Sequence, residues 1–120
     1  SGLTISLSNL TTRTKLSDDA CRDLEHAAQA AEQSVIASHL ACKVASDCMA
    51  VRFAASCFEA CYAVIATSGL PALQTASDQV EGDQCVTYHQ GGCSFIEPPC
   101  IPPPPQLYCN AGVCQGFPPQ

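Results

Sequence analysis

The chain has no tryptophan, a single methionine and only five basic residues among its 120. Arg13, Lys15, Arg22, Lys43 and Arg52 are scattered, so no basic stripe exists to neutralise phosphates, and nucleic-acid binding is not expected. The same scarcity disfavours adsorption to anionic membranes. No apolar run approaches the ~20 residues of a spanning helix, which argues against membrane insertion of the mature chain. No secretory leader is recognisable; a secreted chain would have had it removed, and a lipid anchor on the precursor is compatible with the rest. There is no Cys-x-x-Cys pair, the usual mark of a zinc ribbon or a thioredoxin-type site. There is no Gly-x-Ser-x-Gly elbow and no phosphate-binding glycine loop. The three histidines are His26, His39 and His89. The acid pairs Asp18/Asp19 and Glu81/Asp83 stand at expected helix ends, where dipole and solvation account for them. Neither an enzyme nor a cofactor is expected.

Large core formers are also scarce. Leu, Ile, Val and Phe make up about a fifth of the chain, and much of the 47% hydrophobic fraction is alanine and cysteine. Ordering the chain costs roughly 1–2 kcal/mol per residue, and small alanines return little buried area. Ten cysteines make up this deficit: Cys21, Cys42, Cys48, Cys57, Cys61, Cys85, Cys93, Cys100, Cys109 and Cys114. Their even number in a short chain points to disulfides and an oxidising compartment: secreted, periplasmic or at the cell surface. Each bridge typically adds about 2–4 kcal/mol by restricting the unfolded chain. Bridges between the two halves are expected, but the pairing is not readable from sequence. The net charge of −6 makes the surface acidic.

Residues 3–7 alternate apolar and polar, the pattern of a half-buried strand. Asn9-Leu10-Thr11 matches a glycosylation sequon, a match short enough to arise by chance. Ser17-Asp18-Asp19 opens a helix, and helix formers without Gly or Pro continue toward Cys42. Cys21, Leu24, Ala28, Ala31, Val35 and Cys42 give it one narrow face. Such a helix would hold Cys21 and Cys42 about 31 Å apart, so each must bridge elsewhere. Cys48–Phe53 reads as a strand, and residues 57–65 as a loop followed by a strand or short helix. Gly69-Leu70-Pro71 opens a second helix with Leu73, Ala76 and Val80 inward and Gly82 as its stop. Cys85–His89 reads as a strand, followed by a turn at Gly91-Gly92. The prolines of 98–105 impose an extended course. Residues 107–114 resemble a closing hairpin.

Cys42, Asp47-Cys48, the Cys57/Cys61 pair, Gly92-Cys93, Pro98-Pro99-Cys100 and Cys109…Gly112-Val113-Cys114 together resemble small cysteine-rich secreted or lipid-anchored proteins of myxobacteria-like bacteria. The resemblance covers residues 42–114. It implies an envelope or extracellular location and a disulfide scaffold, and it carries over no catalytic residue.

The expected fold is α+β. A long N-terminal helix and a shorter second helix lie on a small, mostly antiparallel sheet in one disulfide-stabilised domain. Residues 1–16 would be a strand and linker, and 115–120 a flexible tail. The expected function is an extracytoplasmic, non-enzymatic binding or structural module with a protein or glycan partner. Its contact surface would be Phe95, Ile96, Ile101, Pro102, Pro103 and Tyr108, because a cross-linked, proline-stiffened segment is pre-organised for binding. Loop 97–105 could alternatively enter a protease cleft as an inhibitor. A further alternative is a copper or zinc protein. Cys85, His89 and Cys93 are then the ligand set, with His39/Cys42 and Cys57/Cys61 as lesser pairs.

Overall fold

The computed structural model describes residues 15–103 and 106–117. The expected strand at 3–7 and the Asn9 sequon lie outside them. Helix α1 (Asp18–Ala37) starts where the sequence signals it. The Ser17 hydroxyl accepts from the Ala20 N–H at 3.1 Å, and Asp18 and Asp19 suit the positive end of the dipole. The helix ends at Ala37, five residues short of Cys42. Ser38 turns its backbone N–H and its hydroxyl back onto the carbonyls of Ser34 and Val35. Beyond it, residues 39–42 give their backbone groups to tertiary partners. Ala66 N–H donates to His39 O, Cys114 N–H to Leu40 O, and Cys42 N–H to Gly112 O. Continuing the helix would forfeit these bonds.

Strands β1 (Cys48–Ala55) and β2 (Phe58–Ala66) form an antiparallel hairpin. Its register breaks between Arg52 and Ala54, where Cys61 takes a positive φ of 69°. That is a β-bulge, and it brings Arg52 onto Glu59. The Arg52 Nε donates to both Glu59 oxygens, at 3.1 and 3.3 Å, and a second guanidinium nitrogen completes a forked pair. The Arg52 hydrogen bond holds the Glu59 carboxyl below the usual range against the cost of burial.

A 3-10 turn (Thr67–Gly69) leads into helix α2 (Leu70–Gly82), with Pro71 in its first turn and Leu73, Ala76 and Val80 buried, as expected. Gly69 is required by close approach: a Cβ there would stand 2.5 Å from His39 Cβ. The expected strand at Cys85–His89 is instead helix α3 (Gln84–Gln90). Cys85 and Tyr88, three apart, are both 1% exposed while Val86 is open. Only a helical turn puts those two on one face, so packing overrides the β-branched and aromatic composition.

Residues 93–103 have no regular structure. Strands β3 (Gln106–Asn110) and β4 (Val113–Phe117) close the described chain as a second hairpin. Its two-residue turn has Ala111 and Gly112 both at positive φ, the geometry that suits the twist of a tight hairpin. Residues 115–117, expected as tail, are paired in β4.

The fold is α+β, but the sheet is two separate two-stranded ribbons rather than one. The larger core joins α1, α2 and α3 to the first ribbon. A smaller one, around Cys48, Ala66 and Cys114, joins the two ribbons. All ten cysteines are bridged: Cys21–Cys93, Cys42–Cys109, Cys48–Cys114, Cys57–Cys85 and Cys61–Cys100. Cys21 and Cys42 do reach different partners. Every bridge joins one of the first five cysteines to one of the last five.

Candidate functional site

The segment after α3 is a strap. Cys93 fixes it to α1 through Cys21, and Cys100 fixes it to β2 through Cys61. Six residues, Ser94 to Pro99, run between these anchors, and Pro98-Pro99 removes two backbone donors and fixes two φ angles. Phe95 turns inward. It packs on the larger core, with its ring 6.5 Å from that of Tyr88. Ile96 turns outward and is 94% exposed, the most open large hydrophobic residue among those described. Ile101 is 58% exposed, and Pro102 and Pro103 lie on the surface. Of the expected contact residues, Ile96 alone projects from the clamped strap, Phe95 packs inward beneath it, and Ile101, Pro102 and Pro103 follow the Cys100 anchor on the surface. Tyr108 does not belong to the strap in the chain. It stands half-buried in β3 of the second ribbon, opposite Gln115.

The proposed metal ligands are differently engaged. Cys85 and Cys93 are bonded to Cys57 and Cys21, so their sulfurs are not thiolate donors. Cys57 and Cys61 have different partners, and Cys42 is bonded to Cys109. In two further groupings, Cys42/Cys48/Cys114 and Glu59/Cys61/Cys100, every sulfur is in a disulfide, so none is a thiolate donor. His89 contacts Ser56: its Nε2 lies 3.0 Å from the Ser56 hydroxyl oxygen. That hydroxyl donates to Glu81 Oε1, and the Ser56 N–H donates to Glu81 Oε2 at 3.0 Å. With the hydroxyl hydrogen given to Glu81, the ring nitrogen is the donor. A nucleophilic serine needs the opposite arrangement, with a histidine that accepts its proton and a carboxylate behind the histidine. Here the trio clasps the β1–β2 turn to α2 and α3.

Sequence reasoning missed Glu32. It is not among the residues of the narrow face expected to turn inward, yet it is 2% exposed and its Oε2 has no hydrogen-bond partner. Burial, and then the charge of Glu81, push its pKa up to about 7. A signal was present: Glu32 is four residues from Ala28 and four from Ile36, both buried, so it lies on the inward line. Glu25 lies near that line as well, and there Tyr88 donates its hydroxyl to Glu25 Oε2 at 2.7 Å. Among the described residues no helix is long and apolar enough to cross a membrane. Compared with family models, with curated proteins and with solved structures, the chain finds no match.

Proposed function

We propose that the protein is an extracytoplasmic, non-enzymatic binding module that works through its disulfide-clamped strap. The observation that carries this reading is Ile96: an aliphatic side chain 94% exposed on a segment tied down at Cys93 and Cys100. Covering that side chain with a partner would return roughly 1.5–3 kcal/mol of burial. A backbone already fixed at both ends loses little further entropy when that happens. Phe95, packed inward beside it, sets the direction in which Ile96 points. The five bridges support an oxidising address.

The same geometry favours one narrower reading, inhibition of a protease. A disulfide-flanked loop with a projecting aliphatic residue is pre-organised to enter a protease cleft. The centre of such a loop is Ile96, just ahead of the 97–105 segment that the prolines suggest. A photo-crosslinking residue placed at position 96 tests the module reading against proteins and glycans of the native environment. One discrete adduct, absent when the same group is placed at exposed Asp78, is the expected result. Equal adducts from both positions would refute it. A panel of serine and cysteine proteases, with Ile96→Asp and Ile101→Asp as controls, tests inhibition at micromolar protein.

A further inference from the structure

A cleft of about 460 Å³ opens between β1 and α2, remote in sequence from the strap. That volume falls in the range of small-molecule sites. Val51 and Ala54 of β1 and Leu70 and Leu73 of α2 supply apolar walls, and Glu32 of α1 is part of the lining. Among apolar neighbours an isolated carboxylate costs several kcal/mol unless something pairs with it. Glu32 has no such partner: its Oε2 is buried and bonded to nothing. The cleft's own cation is already engaged. Arg52 lies in the wall, but its guanidinium is forked onto Glu59. The remaining charge that acts on Glu32 is Glu81 of α2, which is negative. The site therefore has apolar walls, an orphan acid and a field of one sign, and a cation is what it lacks.

We propose that this cleft binds a small organic cation, a primary ammonium on a short apolar body, with the ammonium paired to the Glu32 carboxylate and the apolar body between β1 and α2. The ammonium offsets the carboxylate charge that Glu81 opposes. A carboxylate ligand would meet two acids. A neutral alcohol would fill the apolar space but leave the charge unmet. Binding also keeps Glu32 ionised, so it weakens as the pH falls and the free carboxyl takes up a proton.

The test uses the intact, oxidised chain and three probes of matched length: n-hexylamine, 1-hexanol and hexanoate. Amide NMR follows residues 51–54 and 70–77 at pH 7.5. The expected result is a saturable shift with hexylamine at least about tenfold tighter than with hexanol, a difference of ~1.4 kcal/mol, and no shift with hexanoate. Glu32→Gln should reduce hexylamine to the level of hexanol, while Asp23→Asn, at an exposed position outside the lining, should leave it unchanged. Saturating hexylamine should lower the titration midpoint of the Glu32 side-chain carbon by more than about one pH unit. Equal binding of hexanol and hexylamine, equal binding to Glu32→Gln, or no saturable shift up to ~10 mM would each overturn the proposal. Should Glu32→Gln not fold, the movement of the wild-type Glu32 midpoint decides alone.

Discussion

Two carboxyl groups sit on the buried side of α1, and they are treated differently. Glu25 accepts from the Tyr88 hydroxyl, whereas Glu32 leaves one oxygen without a donor. In the unfolded chain Glu32 ionises near its ordinary 4.5, and in the folded chain near 7. Between those values the folded state holds a proton that the unfolded state has lost. Stability therefore falls as pH rises through that window and stays low above it. The span corresponds to roughly 3–3.5 kcal/mol as an upper bound, lowered by solvent in the adjoining cleft. Urea titrations at pH 5 and pH 8 should show this loss in the native protein, and a smaller loss in Glu32→Gln. Identical pH dependence in both proteins would contradict the burial argument. Tyr88 is shifted in the same direction, but from a value already high. Burial, then the bond to Glu25 and the charge of Glu25, hold its phenol well above the ordinary range, so it remains a donor throughout. Tyr88→Phe leaves the Glu25 carboxylate without that donor and should cost about 1–3 kcal/mol, measured as a lowered urea midpoint with unchanged slope. Neither acid was legible as buried from charge pattern alone. Both sit among Arg22, Asp23 and Gln29 in a run that looks uniformly solvated, and only the four-residue steps to Ala28 and Ile36 mark Glu32 as inward.

Local signals were enough where an element's ends are set by its own residues. Ser17-Asp18-Asp19 opens α1, Gly69-Leu70-Pro71 opens α2, and the Ala111-Gly112 turn makes the β3–β4 hairpin. They failed where tertiary partners decide. The C-terminus of α1 is set by Ala66, Gly112 and Cys114 bonding to residues 39–42. Helix α3 is set by Cys85 and Tyr88 entering the core together. The β-bulge depends on Cys61 accepting a left-handed conformation, which no residue type there announces. The strap was legible from its prolines and flanking cysteines. That Ile96 faces solvent while its neighbour Phe95 packs on the core is decided by the fold, since both are large apolar residues. The strap's rigidity is itself testable. Replacing Cys61 and Cys100 together by Ser releases its far end while the Cys21–Cys93 bridge keeps the near end. Limited proteolysis should then cut within residues 94–99 at least about tenfold faster than in the native protein, because a freed loop reaches protease-competent conformations more often. Unchanged cleavage would mean that Phe95 packing and the prolines hold the strap without the bridge.

At the scale of the molecule the pairing has one rule: no bridge lies within either half. Cys21, Cys42, Cys48, Cys57 and Cys61 all pair with cysteines at or beyond Cys85. Directly opposed Cys109 and Cys114 of the second ribbon send two of these bonds back, to Cys42 and Cys48. A cut anywhere between Cys61 and Cys85 therefore yields two pieces joined by five disulfides. A protease site placed in the 3-10 turn Thr67–Gly69 should give a nicked protein that migrates as one species until it is reduced. The same rule constrains how the chain folds. Until Cys85 is present no native bridge can close, and the first 84 residues hold five thiols, an odd number with no native solution among them. The larger core is equally incomplete without Cys85, Tyr88, Cys93 and Phe95, so neither sulfur chemistry nor burial can stabilise the first half alone. Oxidative refolding of the full chain in a glutathione buffer should converge on one species without free thiols. The fragment 1–84 under the same conditions should give mixed disulfides and oligomers with no protected amides in residues 18–37. A monomeric fragment with a protected α1 would show that the helix and first ribbon stand without their covalent partners, and that the bridges follow the fold rather than complete it.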